Sequence, residues 1–516
     1  MISKTGVKKQ IDWMITLLPF IVIMCLAAYL FFYPEQANAV ISRVRFFFGD
    51  TFGIYYLIVG AGAFVLSIFL AFSRYGSIIL GGKNEKPQYS FFTWGSMMFT
   101  CGLAADIVFY SFSEWVMYAT NPHLKEMGSI YEWAGVFPLF HWSFIPWAFY
   151  LLLAVAFGFM LHVRKRERQR FSEACRPVIG DSNTDGFLGR IIDLFAVFAL
   201  LAGTATTFSV ATPLMAEILV RLTGISLNRT GLTIAILLIT CCVYTYAVLH
   251  GLKGISVLAK VCILMFFGLL TVILLIGGQT RFIIENGFQS MGKLFQHFIE
   301  LSTYTDPARK TQFPQEWTIY YWAYWMVWCI AAPFFIGNIS RGRTVKQTII
   351  GGYLFGTGST VISFIILGNY SLGLQTSGMK DFIASYEKSH DLYQLIMEII
   401  DTLPYPTLIL FITICCMIAF YATSFDSIAY TAASYSYKQI AENEKPSAVI
   451  ICLWCILLIV LPIALVFSDS SMSNIQSVSI ISAFPIGIIM FIMLWSFLKD
   501  AGKYLQENSD YPVERK

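Results

Sequence analysis

The amino-acid sequence predicts an all-α membrane protein with about twelve transmembrane helices. Its 516 residues are 57% hydrophobic and only 13% charged, whereas soluble domains carry roughly 25% charged residues. Long apolar runs also recur along the whole chain, each near or above the ~20 residues that cross the hydrocarbon as a helix. The chain therefore has no predicted soluble domain, and its net charge of +4 forms no nucleic-acid-binding patch.

The apolar runs define the predicted helices in order. The predicted spans are residues 12–33, 52–73, 91–115, 136–161, 190–216, 231–250, 255–277, 317–337, 348–372, 404–433, 448–467 and 477–498. The first run is too long for a removable signal peptide and lacks a small-residue cleavage site. We therefore expect a multi-pass protein of the cell (inner) membrane, surrounded by lipid.

Lysine and arginine give the predicted orientation, because basic connections stay on the cytoplasmic side. The connections after the fourth, eighth and tenth spans are basic, as is the C-terminal tail. They alternate with poorly basic connections such as 116–135 and 468–476. Both termini are therefore predicted to be cytoplasmic.

Two amphipathic segments, 282–300 and 382–401, suggest an internal repeat. Both have apolar residues at helical spacing and are predicted to lie in the membrane interface. The first segment follows five spans if one repeat starts at the third span, and the second repeat would then start at the eighth. Transporters are often built from two such inverted halves, with the substrate site between interrupted helices. The predicted division is 1–90 (two N-terminal helices), 91–277 (first repeat), 278–316 (interfacial helix), 317–498 (second repeat) and 499–516 (short cytoplasmic tail).

The third span contains small residues and a carboxylate. Gly95, Gly102 and Ala104 permit a locally unwound backbone around Asp106. A carboxylate at this depth costs at least ~2.5–3.5 kcal/mol, so it marks a functional site by default. The alternative is a buried structural pair, for which Lys260 in the seventh span is the candidate partner.

The eighth span is rich in aromatic residues. At helical spacing Trp317, Tyr321, Tyr324 and Trp328 share one face, with Trp325 beside them. Tryptophan and tyrosine faces bind quaternary ammonium groups, which have no N–H group to donate in a hydrogen bond. An aromatic belt at the membrane interface is the alternative, but belts lie at helix ends and this stripe runs three turns inward.

Three motifs resemble the betaine/choline/carnitine transporter family. They are Trp322-Ala-Tyr-Trp325 with Trp328 and Ile339–Thr344, Phe140-His-Trp142 with Pro146, Trp147 and Tyr150, and the segment Gly102–Glu114. The resemblance runs from about residue 10 to residue 505. The segments 304–307, 313–315 and 211–214 look closest to the carnitine/γ-butyrobetaine antiporter branch.

This resemblance implies a LeuT-like fold of two inverted five-helix repeats, usually a homotrimer, that carries trimethylammonium compounds. The implied cation box consists of Trp142, Trp147, Tyr150, Tyr324, Trp325 and Trp328, with Trp317 and Tyr110 on the path beside it. Position 324 is tyrosine where the family usually has tryptophan, which makes a hydroxyl available to the substrate.

The coupling ion is also suggested by the resemblance, and no other cofactor is expected. Antiporter members carry an arginine in place of sodium, whereas Cys262 aligns with it here. The hydroxyl pair of the sodium-driven members is kept. The implied sodium ligands are Thr423, Ser424, Phe420, Thr100 and Leu103. The alternative is a Ser/Thr pair that bonds back to helical carbonyls.

Asp106 stands where betaine-carrying members have glycine, in a pattern similar to choline-carrying members. A carboxylate attracts choline but repels the carboxylate of betaine or carnitine. It could instead accept a proton, or be neutralised by Lys260. The sequence therefore predicts a secondary active transporter of choline, glycine betaine or carnitine, coupled to sodium or protons, with sodium-independent exchange as the alternative.

Other function classes fit less well. A membrane-embedded enzyme is disfavoured because the chain has only six histidines and no His-Glu-x-x-His motif. A sensor would need a signalling domain longer than the predicted tails. A channel would be distinguished by flux that does not saturate.

Overall fold

The computed structural model describes residues 11–166, 168–250, 254–438 and 446–508. Within these ranges it describes all side chains except those of residues 248, 250, 254–260, 262, 422–424, 426 and 427. The described residues form helices joined by short connections and contain no β-strand. The predicted all-α class is therefore confirmed.

The first half of the chain runs from the N-terminal helices to the seventh predicted span. Its helices are α1 (Trp13–Phe32), α2 (Pro34–Arg45), α3 (Gly53–Phe72), α4 (Phe91–Cys101), α5 (Ala105–Ala119), α6 (Pro122–Glu126), α7 (Ile130–His141), α8 (Phe144–Gly158), α9 (Phe171–Ile179), α10 (Asp181–Thr184), α11 (Phe187–Thr223), α12 (Arg229–His250) and α13 (Gly254–Ile276). A 3₁₀ turn, Arg74–Ser77, and two π-helical turns, Phe46–Thr51 and Phe159–Val163, interrupt them.

The second half begins with a helix that turns sharply away from α13. Its helices are α14 (Thr280–Thr303), α15 (Ile319–Trp328), α16 (Ala332–Ile339), α17 (Val345–Gly351), α18 (Thr357–Thr376), α19 (Phe382–Ser389), α20 (Leu392–Asp401), α21 (Pro406–Tyr435), α22 (Ala448–Phe467) and α23 (Met472–Glu507). π-Helical turns at Pro314–Thr318 and Gly352–Gly356 lead into α15 and α18.

The predicted count of twelve membrane crossings is not confirmed by the described helices. Among the described residues, eight helices are long and apolar enough to cross a membrane, or up to eleven if each of three bent pairs is one span. The predicted span 404–433 coincides with α21, whose described apolar stretch, Pro406–Tyr421, is shorter than a full crossing. The count of twelve therefore stays a prediction, whereas the positions of the other predicted spans match helices.

Two predicted spans are broken in the middle. The axes of α4 and α5 differ by 64°, and those of the segment Pro314–Trp328 and α16 differ by 56°. At Gly102 a Cβ would overlap the hydroxyl of Ser359 and stand 2.9 Å from the ring of Trp147, so only glycine fits there. Pro333 lies in the first turn of α16 and has no N–H for the turn before it. Both breaks therefore follow from local residue choice.

The two predicted amphipathic helices differ in outcome. The segment 282–300 lies within one helix, α14, which meets the preceding helix at 109°. The segment 382–401 was expected to be similar but forms two short helices, α19 and α20. The break lies at His390, which has a φ of 51°, and the Asp391 side chain then caps α20. Their position in a membrane interface stays a prediction.

Some basic residues of the connections have structural partners. Arg170 is buried and pairs with Asp193 at 3.0 Å, while its other amine donates to the carbonyl of Tyr435 at 2.8 Å. Arg343 lies 4.8 Å from the Trp94 ring centroid and donates to the carbonyl of Tyr89. These basic residues, which predict the orientation of the chain in the membrane, thus also make structural contacts. Arg170 contacts α11 and α21, and Arg343 contacts α4.

Candidate functional site

A cavity of about 590 Å³ lies where the two broken helices meet. Its walls come from the α4–α5 break, from α15 and the start of α16, and from α11 and α21. Its size is within the range of small-molecule sites. The breaks in the two predicted spans therefore both lie at the wall of one shared cavity.

Aromatic rings form one wall of this cavity. Trp142, Tyr150, Tyr324, Trp325 and Trp328 all line it. The Trp325 ring meets those of Tyr150 and Trp142 at centroid distances of 5.1 and 5.5 Å, with interplanar angles of 63° and 75°. Rings at such angles stand like adjacent walls of a box, with faces free for a bulky cation.

Three further residues of the predicted site do not line the cavity. Trp147 is fully buried behind the wall, 5.6 Å from the Tyr150 ring and 6.2 Å from the Trp325 ring. Tyr110 packs on Trp142 at 5.6 Å and shares a 2.9 Å hydrogen bond with Tyr320. Trp317 packs against the Tyr118 ring at 5.1 Å. Trp147 thus supports the box from behind, and the other two lie beyond it.

The aromatic stripe of the eighth span is only partly one wall. Tyr324 and Trp328 face the cavity, whereas Tyr321 stacks on His141 at 4.8 Å and Trp317 lies further away. Trp317 lies within the π-helical turn Pro314–Thr318, which has more residues per turn than an α-helix, so constant helical spacing does not hold there. Tyr321 lies within the regular helix α15, one turn before Tyr324, and does not reach the cavity.

Asp106 projects from the first turn of α5 into the cavity wall. The Tyr324 hydroxyl donates a hydrogen bond to its Oδ2 atom and also contacts Thr207 Oγ1 of α11 at 2.5 Å. The Oδ1 atom is buried without a hydrogen-bond partner. The Lys260 side chain, the proposed ion-pair partner, lies outside the described residues, so the described partner of Asp106 is Tyr324.

The predicted sodium ligands are partly brought together. Thr100, Leu103 and Phe420 line the same cavity, the first two beside the α4–α5 break and the third on α21. The side chains of Thr423 and Ser424 lie outside the described residues, as does that of Cys262. The sodium site therefore stays a prediction.

The residues in and around the cavity differ in exposure. Phe335, a lining residue on α16, is 43% exposed, and Met97 on α4 is half-buried. Tyr110, Tyr320 and Tyr321, which do not line the cavity, are at most 1% exposed. The exposed lining residue is therefore on the helix that the basic residues Arg341 and Arg343 follow.

Sequence reasoning missed two polar features next to the box. Thr207, which holds Tyr324, has no distinguishing signal among the threonines of α11. Glu114 is fully buried and accepts a 2.8 Å hydrogen bond from the Trp142 indole. The rule that singled out Asp106, a carboxylate deep in an apolar helix, applies equally to Glu114 and would have found it.

A cavity between broken helices, with aromatic walls and one carboxylate, is typical of a transporter for organic cations. A family model described as BCCT, betaine/carnitine/choline family transporter, matches residues 14–506. The chain belongs to the BCCT family. It is therefore a multi-pass membrane transporter of betaine, carnitine or choline type, with a small quaternary ammonium compound as its substrate class.

BCCT membership confirms the resemblance read from the motifs and agrees with the expectation that the chain is not an enzyme. It does not distinguish the carnitine/γ-butyrobetaine antiporter branch from the others. Substrate, coupling ion and oligomeric state therefore need arguments from the cavity itself.

Proposed function

We propose that this BCCT protein is a secondary active transporter that prefers choline, driven by a sodium or proton gradient. The observation that carries the proposal is the Asp106 carboxylate at the aromatic cavity, with Oδ2 held by Tyr324 and Oδ1 unpartnered. The aromatic faces of Trp142, Tyr150 and Trp325 would hold the trimethylammonium head.

Charge decides between the candidate substrates. Choline is a net cation, so the carboxylate attracts it. Glycine betaine and carnitine carry a carboxylate of their own, which a buried Asp106 repels unless a proton or a cation neutralises it. The described partner of Asp106 is the uncharged Tyr324 hydroxyl, which leaves the negative charge of the carboxylate in place, so choline is the better match.

Two arguments support sodium coupling, and both rest on the family resemblance and on position. Thr100 and Leu103 lie beside an unwound backbone, whose carbonyls suit a hard monovalent cation. Phe420 of α21 lines the same cavity. Proton coupling through Asp106 is the alternative within the same mechanism, and sodium-independent exchange is the alternative outside it.

The division into inverted repeats, 91–277 and 317–498, belongs to the same proposal. The first span of each repeat is bent, by 64° and by 56°, and each bend contributes to one cavity. Interrupted helices in corresponding positions are what the inverted-repeat architecture requires. A homotrimer in the inner membrane with both termini cytoplasmic completes the proposal by resemblance to the family.

The deciding experiment is uptake of labelled choline, glycine betaine and carnitine into proteoliposomes, with and without a sodium gradient. Wild type should take up choline when sodium is supplied, and unlabelled tetramethylammonium should compete. The uncharged isostere 3,3-dimethyl-1-butanol should compete at least about tenfold less well, because it lacks the charge that both the rings and Asp106 bind. In Asp106→Gly the preference should shift from choline toward glycine betaine.

Glu132→Gln is the matched control, because Glu132 is a carboxylate that pairs with Lys293 away from the cavity. It should leave the choline to betaine ratio unchanged. Equal ratios in wild type and Asp106→Gly would contradict the role given to Asp106. Sodium-independent uptake that requires internal substrate would instead identify an exchanger.

A further inference from the structure

Glu114 is a second buried carboxylate, two turns beyond Asp106 on α5, and it does not line the cavity. Its side chain is fully buried, so both oxygens need hydrogen-bond donors. One oxygen accepts from the Tyr118 hydroxyl and the other from Trp142 Nε1 at 2.8 Å. The Glu114 carboxylate thus connects Trp142 of the aromatic box to Tyr118, which does not line the cavity.

Trp142 needs such a contact more than its neighbours do. It lies in the break between α7 and α8 with φ −117° and ψ 13°, so no helical turn sets its direction. Trp147 and Trp325 lie inside helices, and their indole N–H groups are buried without partners. Of these three indoles, only that of Trp142 is oriented by a hydrogen bond, which Glu114 accepts.

The other oxygen of Glu114 begins a chain of hydrogen bonds among residues that do not line the cavity. Because the Tyr118 hydroxyl donates to Glu114, its oxygen accepts from His141 Nδ1 at 2.6 Å. His141 Nε2 is then an acceptor for the Thr318 hydroxyl at 3.0 Å. Thr318 ends the π-helical turn before α15. The chain of hydrogen bonds that starts at the Glu114 carboxylate therefore connects α5, α7 and this turn.

We propose that Glu114 is a positioning residue for transport, which holds the Trp142 indole plane in the cavity wall through the Nε1 hydrogen bond. The inference rests on the proposed function, since it takes Trp142 as a wall of the trimethylammonium box. Its consequence differs from that of Asp106. Loss of this hydrogen bond weakens binding of the trimethylammonium head. Because all three candidate substrates share that head, the preference of the transporter among them is unchanged.

The test compares Glu114→Leu with Glu114→Gln in proteoliposome uptake. Leucine offers no acceptor, so KM for choline and for any betaine carried should rise together, about tenfold, while the maximal rate changes less. The glutamine amide oxygen still accepts from Trp142, and its N–H group can donate to Tyr118 once the hydroxyl turns to His141. Glu114→Gln should therefore keep KM within about threefold of wild type.

Trp142→Phe separates this inference from the proposed function. If Glu114 acts through Trp142, Glu114→Leu should add nothing to KM once Trp142 is phenylalanine. The inference would be overturned if the KM increases of the two single variants multiplied in the double variant. It would also be overturned if Glu114→Leu had the KM of wild type. Either result would leave the proposed function standing. A wild-type KM in Trp142→Phe would instead overturn the box itself.

Glu114→Leu buries unpaired donors and could fail to fold. In that case the ultraviolet resonance Raman difference between wild type and Trp142→Phe isolates the indole N–H of Trp142. A hydrogen-bonded N–H signature supports the inference, and a free N–H signature overturns it.

Discussion

At the scale of single residues, the contact between Tyr324 and Asp106 links two positions that the family resemblance singled out. The tyrosine hydroxyl donates to the carboxylate and contacts Thr207 of α11. A tryptophan at position 324 would offer no hydroxyl, and a glycine at position 106 would need none. The two residues are therefore expected to act as one unit in substrate selection.

Tyr324→Phe tests this unit. The ring and its cation-binding face remain, but Asp106 loses its hydrogen bond and keeps a buried, unsatisfied oxygen. We expect KM for choline to rise by about tenfold, because a lost hydrogen bond to a buried charged group costs ~1.5–3 kcal/mol. Concentration-dependent uptake of labelled choline measures it.

Tyr320→Phe is the matched control for that prediction. It lies on the same helix and also loses a buried hydroxyl, which pairs with Tyr110 at 2.9 Å, but it does not line the cavity. Its KM for choline should stay close to wild type. Equal losses in both variants would mean that hydroxyl removal acts through stability and not through Asp106.

At the scale of elements, the cavity wall depends on how closely α18 approaches α8. A Cβ at Gly356, in the turn that leads into α18, would overlap the Trp147 ring, whereas a Cβ at Gly358 would meet nothing within 4 Å. Trp147 supports Tyr150 and Trp325 from behind. Trp147 therefore acts on the substrate through packing and not through direct contact.

Gly356→Ala should consequently impair both stability and transport. Overpacking of this kind costs ~1–3 kcal/mol, so the melting temperature should fall, and KM should rise as Trp147 displaces the rings in front of it. Thermal unfolding of the purified protein and choline uptake measure the two effects. Gly358→Ala should be neutral or slightly stabilising, and a comparable loss in that variant would contradict the argument.

At the scale of the whole molecule, we expect the cavity to open on the side of the basic connections, because its exposed lining residue Phe335 lies on α16, which Arg341 and Arg343 follow. Cys101 lines the cavity and is half-buried, so it provides a natural reporter of access. If the basic connections face the cytoplasm, a membrane-impermeant maleimide should label Cys101 in inverted vesicles and much less in right-side-out vesicles. Choline should protect it.

Cys101→Ser provides the background for this measurement, since Cys25 and Cys242 are exposed on the outer surface of the bundle. The label assigned to Cys101 is the part that the serine variant loses. Labelling of that part only from the outside would reverse the predicted orientation. Equal labelling from both sides without protection by choline would argue against a gated substrate cavity.

The sequence by itself determined the class of protein, the positions of most helices and the family. These depend on properties of neighbouring residues, such as the length of an apolar run, the glycine at a helix break and the order of aromatic residues in a motif. Tyr150, Trp325 and Trp328 were assigned to the box in this way, and all three line the cavity.

Only the tertiary structure decided which of the predicted side chains face the cavity and what holds them. Asp106 and Tyr324 are 218 residues apart, and Glu114 lies on α5 whereas Trp142 lies in the break between α7 and α8, so no local pattern links them. Trp147 lies behind the wall because α18 approaches it, and Trp317 leaves the stripe because a π-helical turn precedes α15. Contacts of this kind arise from helix packing and breaks, which change the direction of a side chain without changing its place in the sequence.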